Sequence, residues 1–141
     1  MAAYKYDPLP DQRIRLIGLL PGQRLDPLLV SIFEADFPRH ADTTPAYEAL
    51  SYVWGDGAGS HSVSVVPAGA DDITSTTTPT PTPTVSLGAN LHSALCHLRL
   101  ETSRRILWCD RLCIDQANHD ERARQVARMA DVYQRAQKVI V

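Results

Sequence analysis

Carboxylates, an amide and one oddly placed guanidinium crowd a single stretch of this chain. From Leu107 to Tyr133 it reads L-W-C-D-R-L-C-I-D-Q-A-N-H-D-E-R-A-R-Q-V-A-R-M-A-D-V-Y. A short apolar strand runs into an acidic turn and then into an amphipathic helix. That arrangement places Asp110, Asp115, Gln116 and Glu121 where a strand ends and a helix begins. In open α/β sheets this edge is where ligands bind, because helix N–H groups point outward beside a crevice left by the sheet. The segment Tyr47 to Asp56, Y-E-A-L-S-Y-V-W-G-D, repeats the logic, with Gly55 and Asp56 at the carboxyl end of a strand. A carboxylate at Asp56 could hold a ribose hydroxyl or order the neighbouring loop. It could equally bond its own backbone in the tight turn that the flanking glycines permit.

Each of these residues also has a plain structural role open to it. Asp110 can cap the turn that follows it, and Asp115 and Gln116 can lock their own loop. Glu121 is favoured in the first turn of a helix by the helix dipole, whatever else it does. Arg122 at the same end is electrostatically disfavoured unless it pairs with Asp110, Asp115 or an anion, and that inconsistency makes it the sharpest single candidate. Metal binding has to be weighed, since His92, Cys96, His97, Cys109, Cys113 and His119 all fall in one half of the chain. Three residues, not two, separate Cys109 from Cys113, so no metal site is expected. Carboxylates beside Cys113 would raise its pKa, and no cysteine–histidine dyad is legible. A P-loop and a G-x-G-x-x-G run are both absent.

The elements that must position these groups follow from residue patterning. Arg13 to Leu20 and Leu28 to Glu34 read as strands, the first closed by the Pro21-Gly22 turn. Tyr47 to Trp54 reads as a third and central strand. Ser62 to Val66 is short and alternating, and is expected to pair with Val85 to Leu87. Between them Thr74 to Thr84, T-S-T-T-T-P-T-P-T-P-T, is expected to be a disordered surface loop, because its prolines remove donors and favour extended, solvated backbone. Asn90 to Leu100 carries Leu91, Ala94, Leu95 and Leu98 at helical spacing. Ile106 to Asp110 reads as a buried strand. Asn118 then caps a helix, with Glu121 completing a capping-box-like pair. That helix is expected to run to about Gln137, burying Val126, Met129, Ala130, Tyr133 and Ala136. Asp131 and Arg135, four apart, should pair weakly on its outer face. Lys138 to Val141 follows as a strand. Alternation of strands and helices implies a parallel sheet: Tyr47–Val53, Ile106–Asp110 and Lys138–Val141 in one sheet, with Asp56, Asp110 and Arg122 converging at its carboxyl edge.

At 141 residues the chain holds one domain at most. Its 44% hydrophobic and 21% charged content are those of an ordinary globular protein. A net charge of −2 argues against a generic nucleic-acid binder. Charge is uneven, however: residues 99–141 hold nine Lys/Arg and six Asp/Glu, leaving five and ten for residues 1–98. That is a solvated, Arg-rich helix face or an anion- or partner-binding patch. No apolar run reaches the ~20 residues of a membrane span, and the start lacks an apolar signal core. The odd count of three cysteines, in apolar settings, reads as reduced core thiols of a cytoplasmic protein.

Two blocks together resemble the heterokaryon incompatibility (HET) domain of filamentous fungi. One is Tyr47, Ala49, Leu50, Ser51, Tyr52, Trp54, Gly55 and Asp56. The other is Leu107, Trp108, Asp110, Cys113, Ile114, Asp115, Gln116, Glu121, Arg122, Gln125, Val126, Met129, Tyr133 and Ala136. Asn90-Leu91, Ala94-Leu95 and Leu98-Arg99 are similar to the family's intervening helix. The stretch from Tyr6 to Gly22 is similar to its common lead-in. The resemblance implies a β lead-in over residues 1–46 and a partial HET domain over 47–141. It implies an α/β, parallel-sheet sandwich of TIR-like or flavodoxin-like type, with an amino-terminal β extension. It implies a signalling module in fungal nonself recognition and cell death, acting by self-association or with another protein of the incompatibility system. Complete TIR-like relatives imply an alternative, the cleavage of NAD, with NAD as substrate and no resident cofactor. The family pattern continues past Val141 with a W-L-G turn and a later Trp-rich helix, and TIR-like hydrolases carry their glutamate in a comparable late helix. The chain is therefore expected not to be an enzyme by itself, and a truncated, inactive remnant is a third reading.

Overall fold

The run R-I-R-L-I-G-L forms β1 (Arg13–Leu19), and six of its seven residues are buried. β-branched and long apolar side chains fit a pleated surface covered on both faces, and a strand buried this fully belongs at the middle of a sheet. In the computed structural model, which describes residues 4–10, 12–23, 26–37, 46–51, 61–66 and 83–140, that is where it lies. The further strands are β2 (Leu29–Asp36), β3 (Glu48–Leu50), β4 (His61–Val66), β5 (Thr84–Leu87), β6 (Arg105–Trp108) and β7 (Lys138–Ile140). Together they make one seven-stranded sheet of order β5-β4-β2-β1-β6-β3-β7. The helices are α1 (Ala89–Leu98), α2 (Asp110–Cys113), α3 (His119–Ala127) and α4 (Met129–Arg135).

The sheet is mixed. β3 runs parallel to both β6 and β7, and β2 runs parallel to β4. β1 is antiparallel to β2 and to β6, and β4 to β5. The expected parallel pairing is thus present in the trio β6-β3-β7, and again between β2 and β4, while the rest of the sheet is antiparallel. β1 and β2 are antiparallel neighbours joined by a short connection, which requires no crossover helix. The middle of the sheet is β1, and β3 is second from one edge, which corrects the expectation that Tyr47 to Trp54 is central. Ser62 and Val63 face Ser86 and Val85, as the sequence pattern anticipates.

Element ends depart from expectation in three places. Thr84 opens β5, and Pro83 accepts a hydrogen bond from Val65 N at 2.9 Å, so the Thr/Pro run is ordered at its last two residues. Positions 74–82 lie outside the described residues. β6 stops at Trp108, and Asp110 is the first residue of α2 rather than the end of a strand. The long helix expected from Asn118 to about Gln137 breaks at Arg128, whose φ of −105° and ψ of 5° cap α3 and open α4. The buried stripe sits one position earlier than expected on both sides of the break. Glu121, Gln125 and Val132 are buried, while Val126 is 54% exposed and Ala130 faces solvent.

The core gathers Ile14, Leu16, Ile17 and Leu19 of β1 with Leu107 and Trp108 of β6 and Leu91 and Leu95 of α1. Gly18 is required by close approach: a Cβ there would lie 2.7 Å from both the Arg104 side chain and Ser31 Oγ. Arg99, just after α1, donates to the carbonyls of Gln23, Asp26 and Pro27 at 2.6, 3.1 and 2.9 Å, fixing the β1–β2 connection. No helix among the described residues is long and apolar enough to cross a membrane.

Candidate functional site

The loop between β6 and α3 is organised around a carboxylate that is almost fully buried. Glu121 is 1% exposed and Arg15, from β1, 3%. Two guanidinium nitrogens of Arg15 donate to the two Glu121 oxygens at 2.5 and 2.7 Å, a bidentate pair. Oε2 of Glu121 also accepts the backbone N–H of Asp115 at 2.7 Å. Arg15 continues to the carbonyls of Asp7 at 2.8 Å and Cys113 at 3.3 Å. The Tyr6 ring lies 4.8 Å from its guanidinium carbon, and the Tyr6 hydroxyl donates to Leu112 O at 2.9 Å. Burial, the largest single influence, pulls the Arg15 pKa down, but the hydrogen bonds to Glu121 and its negative charge, with smaller contributions from Tyr6 and Asp115, together outweigh it and the net direction is up. Burial raises the Tyr6 phenol well above its ordinary range. This knot ties the amino-terminal segment, the sheet centre, α2 and α3 together.

Around the knot the loop locks itself. Asn118 Oδ1 accepts Glu121 N at 3.1 Å, giving the expected cap. The reciprocal half of the capping box is missing, because the Glu121 side chain turns inward to Arg15 and Asp115 N instead. Asp115 Oδ1 accepts Ala117 N at 3.2 Å, an Asx turn. Gln116 Nε2 donates to the carbonyls of Asp110 at 2.9 Å and Ile114 at 3.3 Å. Asp110, Asp115, Gln116 and Glu121 are therefore brought into one loop system. Arg122 is exposed on α3, with its backbone N–H bonded to Asn118 O at 2.9 Å. Gly55 and Asp56 lie outside the described residues, so the expected meeting of Asp56 with Asp110 and Arg122 does too.

A second group of side chains faces the carboxyl ends of the parallel strands. Ser51 directly follows β3, and its N–H donates to Ile140 O of β7 at 2.7 Å. Tyr133 of α4 shares a side-chain hydrogen bond with Ser51 and stands near Asp110. Its ring meets Trp108 edge to face at 5.6 Å. Burial, then the Asp110 carboxylate, raises the Tyr133 pKa, and the Ser51 bond offsets part of this. Trp108 is fully buried, and its Nε1 has no hydrogen-bond partner among the described residues. Tyr133 and Asp110 are partly exposed and can meet a polar ligand, whereas the fully buried Trp108 indole cannot. They do not form a nucleophile–base pair. Ser51, Tyr133, Arg15 and Tyr6 were missed as site residues by sequence reasoning. Only Arg15 left a signal, as a cation inside the apolar run R-I-R-L-I-G-L.

One cysteine meets a histidine, which the sequence reading did not anticipate: Cys96 Sγ lies 3.9 Å from His92 Nδ1 on α1. All three are free, with Cys109 and Cys113 fully buried and Cys96 half-buried. Burial, then the neighbouring Cys109 thiol, pushes the Cys113 pKa up, so its cause is not the flanking carboxylates. Among the described residues no group of three His, Cys, Asp or Glu side chains could hold a metal ion.

A mixed α/β domain that closes an acidic, capped loop over a sheet edge with a buried Arg–Glu knot is the class this geometry defines. Residues 47–141 match the family model described as Heterokaryon incompatibility protein (HET), and the chain belongs to that family. It is 34% identical over 138 residues to Heterokaryon incompatibility protein 6, OR allele, of Neurospora crassa. That alignment covers 94% of this chain and 19% of the relative, so the chain spans about a fifth of the curated protein it matches. No solved structure matches the chain.

Proposed function

We propose that this chain is the scaffold-forming part of an incompatibility module that acts in fungal nonself recognition and cell death through self-association. Membership of the HET family across residues 47–141 carries the reading. The resemblance to a Neurospora crassa incompatibility protein supports it. The residues that carry the family pattern also support a module rather than a reaction centre: Trp108 and Cys113 are buried, and both Glu121 oxygens are held by Arg15. The parallel trio β6-β3-β7 with its helical crossover supports kinship with TIR-like and flavodoxin-like sandwiches. Regulated expression of the chain in Neurospora crassa should arrest growth or kill hyphal compartments, and light scattering of the purified protein should report a dimer or larger. Normal growth at high expression, with a monomer in solution, overturns the proposal. The NAD-cleaving alternative is tested directly by incubating the protein with NAD and measuring free nicotinamide, and none is expected.

A further inference from the structure

Of the three thiols, Cys96 alone is not sealed in the core, and it stands beside a base. His92 and Cys96 lie four residues apart within α1, so their side chains share one face of the helix. The imidazole is placed from two sides. It stacks on His61 of β4, with ring centroids 4.4 Å and planes 21° apart, and its Nδ1 meets Cys96 Sγ at 3.9 Å. Burial, then His61 and Arg99, lower the His92 pKa, so the ring is neutral at neutral pH and can take a proton from the thiol. The adjacent imidazole is engaged elsewhere, since His97 Nδ1 donates to Ser93 O at 2.8 Å. Beside the thiol, a cavity of about 490 Å³ opens between α1 and the β1–β2 connection, lined by Cys96, His97, Arg99, Glu101, Gly22 and Gln23. Arg99, bonded to three carbonyls of that connection, holds the wall in place.

We propose that Cys96 is a modification site, the nucleophile for thiol–disulfide exchange with a small soluble disulfide such as oxidised glutathione, with His92 as its base. The Cys96 thiol passes its proton to His92 Nδ1, and the thiolate attacks one sulfur of the disulfide. The old S–S bond breaks and a new one joins Cys96 to one half. The other half leaves as a thiolate and takes the proton back from the imidazolium. The protein sulfur is oxidised and the departing sulfur reduced, so a thiol and a disulfide become a mixed disulfide and a thiol. Access decides which cysteine reacts. Cys109 and Cys113 are 0% exposed and no disulfide reaches them in the folded chain. At Cys96 the base and the open space occur together, and the cavity gives the attached half room to lie beside α1. The inference does not depend on the incompatibility role and can fail without it.

The test incubates the full chain with oxidised glutathione under native conditions and follows its intact mass. A single adduct is expected, removed by dithiothreitol, and peptide mapping should place it on Cys96. Mapping reads the wild-type protein, so that result stands whether or not a variant folds. Cys96→Ser should take up no adduct. His92→Gln should slow exchange roughly tenfold or more at neutral pH, the worth of a positioned base. At strongly alkaline pH hydroxide removes the thiol proton unaided, so the gap between His92→Gln and wild type should close, which a merely structural loss would not do. The groups that bear on His92 through this titration are His61 on β4, Arg99 after α1, and Cys96 itself. Circular dichroism checks that both variants keep their fold. No adduct, an adduct on Cys109 or Cys113, a His92→Gln variant as fast as wild type, or a gap that persists in alkali overturns the proposal.

Discussion

Two Arg–Glu pairs in this molecule are both bidentate and differ in surroundings. Arg15 grips Glu121 at 2.5 and 2.7 Å, and Arg105 grips Glu48 at 2.6 and 3.0 Å. Side-chain exposure is 3% and 1% in the first pair and 21% and 19% in the second. Water still reaches the second pair, so losing one partner leaves the other solvated. No water compensates the first, and every lone pair and N–H in it must be answered by protein. One fork-on-carboxylate contact is thus a structural keystone where it is dry and a cross-strand tie where it is wet.

The largest expected effect breaks the buried pair. Glu121→Ala leaves the Arg15 guanidinium charged and unanswered, which costs about 3–5 kcal/mol, read as a lower urea midpoint. The Asp115 N–H loses its acceptor in the same variant, loosening the loop after α2. Replacing both partners by apolar side chains, Arg15→Met with Glu121→Leu, should recover most of that loss, because no buried charge remains. A double variant as unstable as the single one would show that the hydrogen bonds to Asp7, Cys113 and Asp115 outweigh the charge.

Next in size is the cap beside the knot. Asn118 answers one orphan donor of α3 through Glu121 N, and Asn118→Ala should lower stability by about 1 kcal/mol. Hydrogen exchange should localise the change to α3. Asn118→Asp, which keeps the acceptor, should restore it.

Strand existence was legible from patterning, since β1, β2, β4, β5 and β6 follow apolar runs bounded by turn residues. The Asn118 cap was legible too, because an Asx residue ahead of acidic helix positions signals its own structure. Direction was not. β1 and β2 could pair antiparallel as easily as parallel, and periodicity carries no sense of strand polarity. Glu121 shows why the site was only half visible. Its place at a helix start gave a sufficient local reason for a carboxylate, which concealed a partner 106 residues away. Val126 shows the converse: an apolar residue on a helical period predicts burial, but the stripe that packs inward passes through Glu121, Gln125 and Val132 and leaves it 54% exposed.

The smallest expected effect concerns the wetter pair and carries a pH signature. The hydrogen bonds from Arg105 hold the Glu48 carboxyl below its ordinary value of 4.5, partly opposed by burial. A carboxylate whose folded pKa is depressed adds stability that is fully present above its unfolded value and lost as pH falls through the folded one. Glu48→Gln should therefore cost less than about 1 kcal/mol at neutral pH. The gap between variant and wild type should close only as pH drops below 4.5. Thermal melts of both proteins between neutral and strongly acid pH check this. High salt should narrow the gap as well, since both partners are partly solvated, whereas it should leave the loss caused by Glu121→Ala nearly untouched. A Glu48 effect indifferent to salt and persisting far below pH 4.5 would mean that β3 and β6 are joined by packing, with the pair adding nothing.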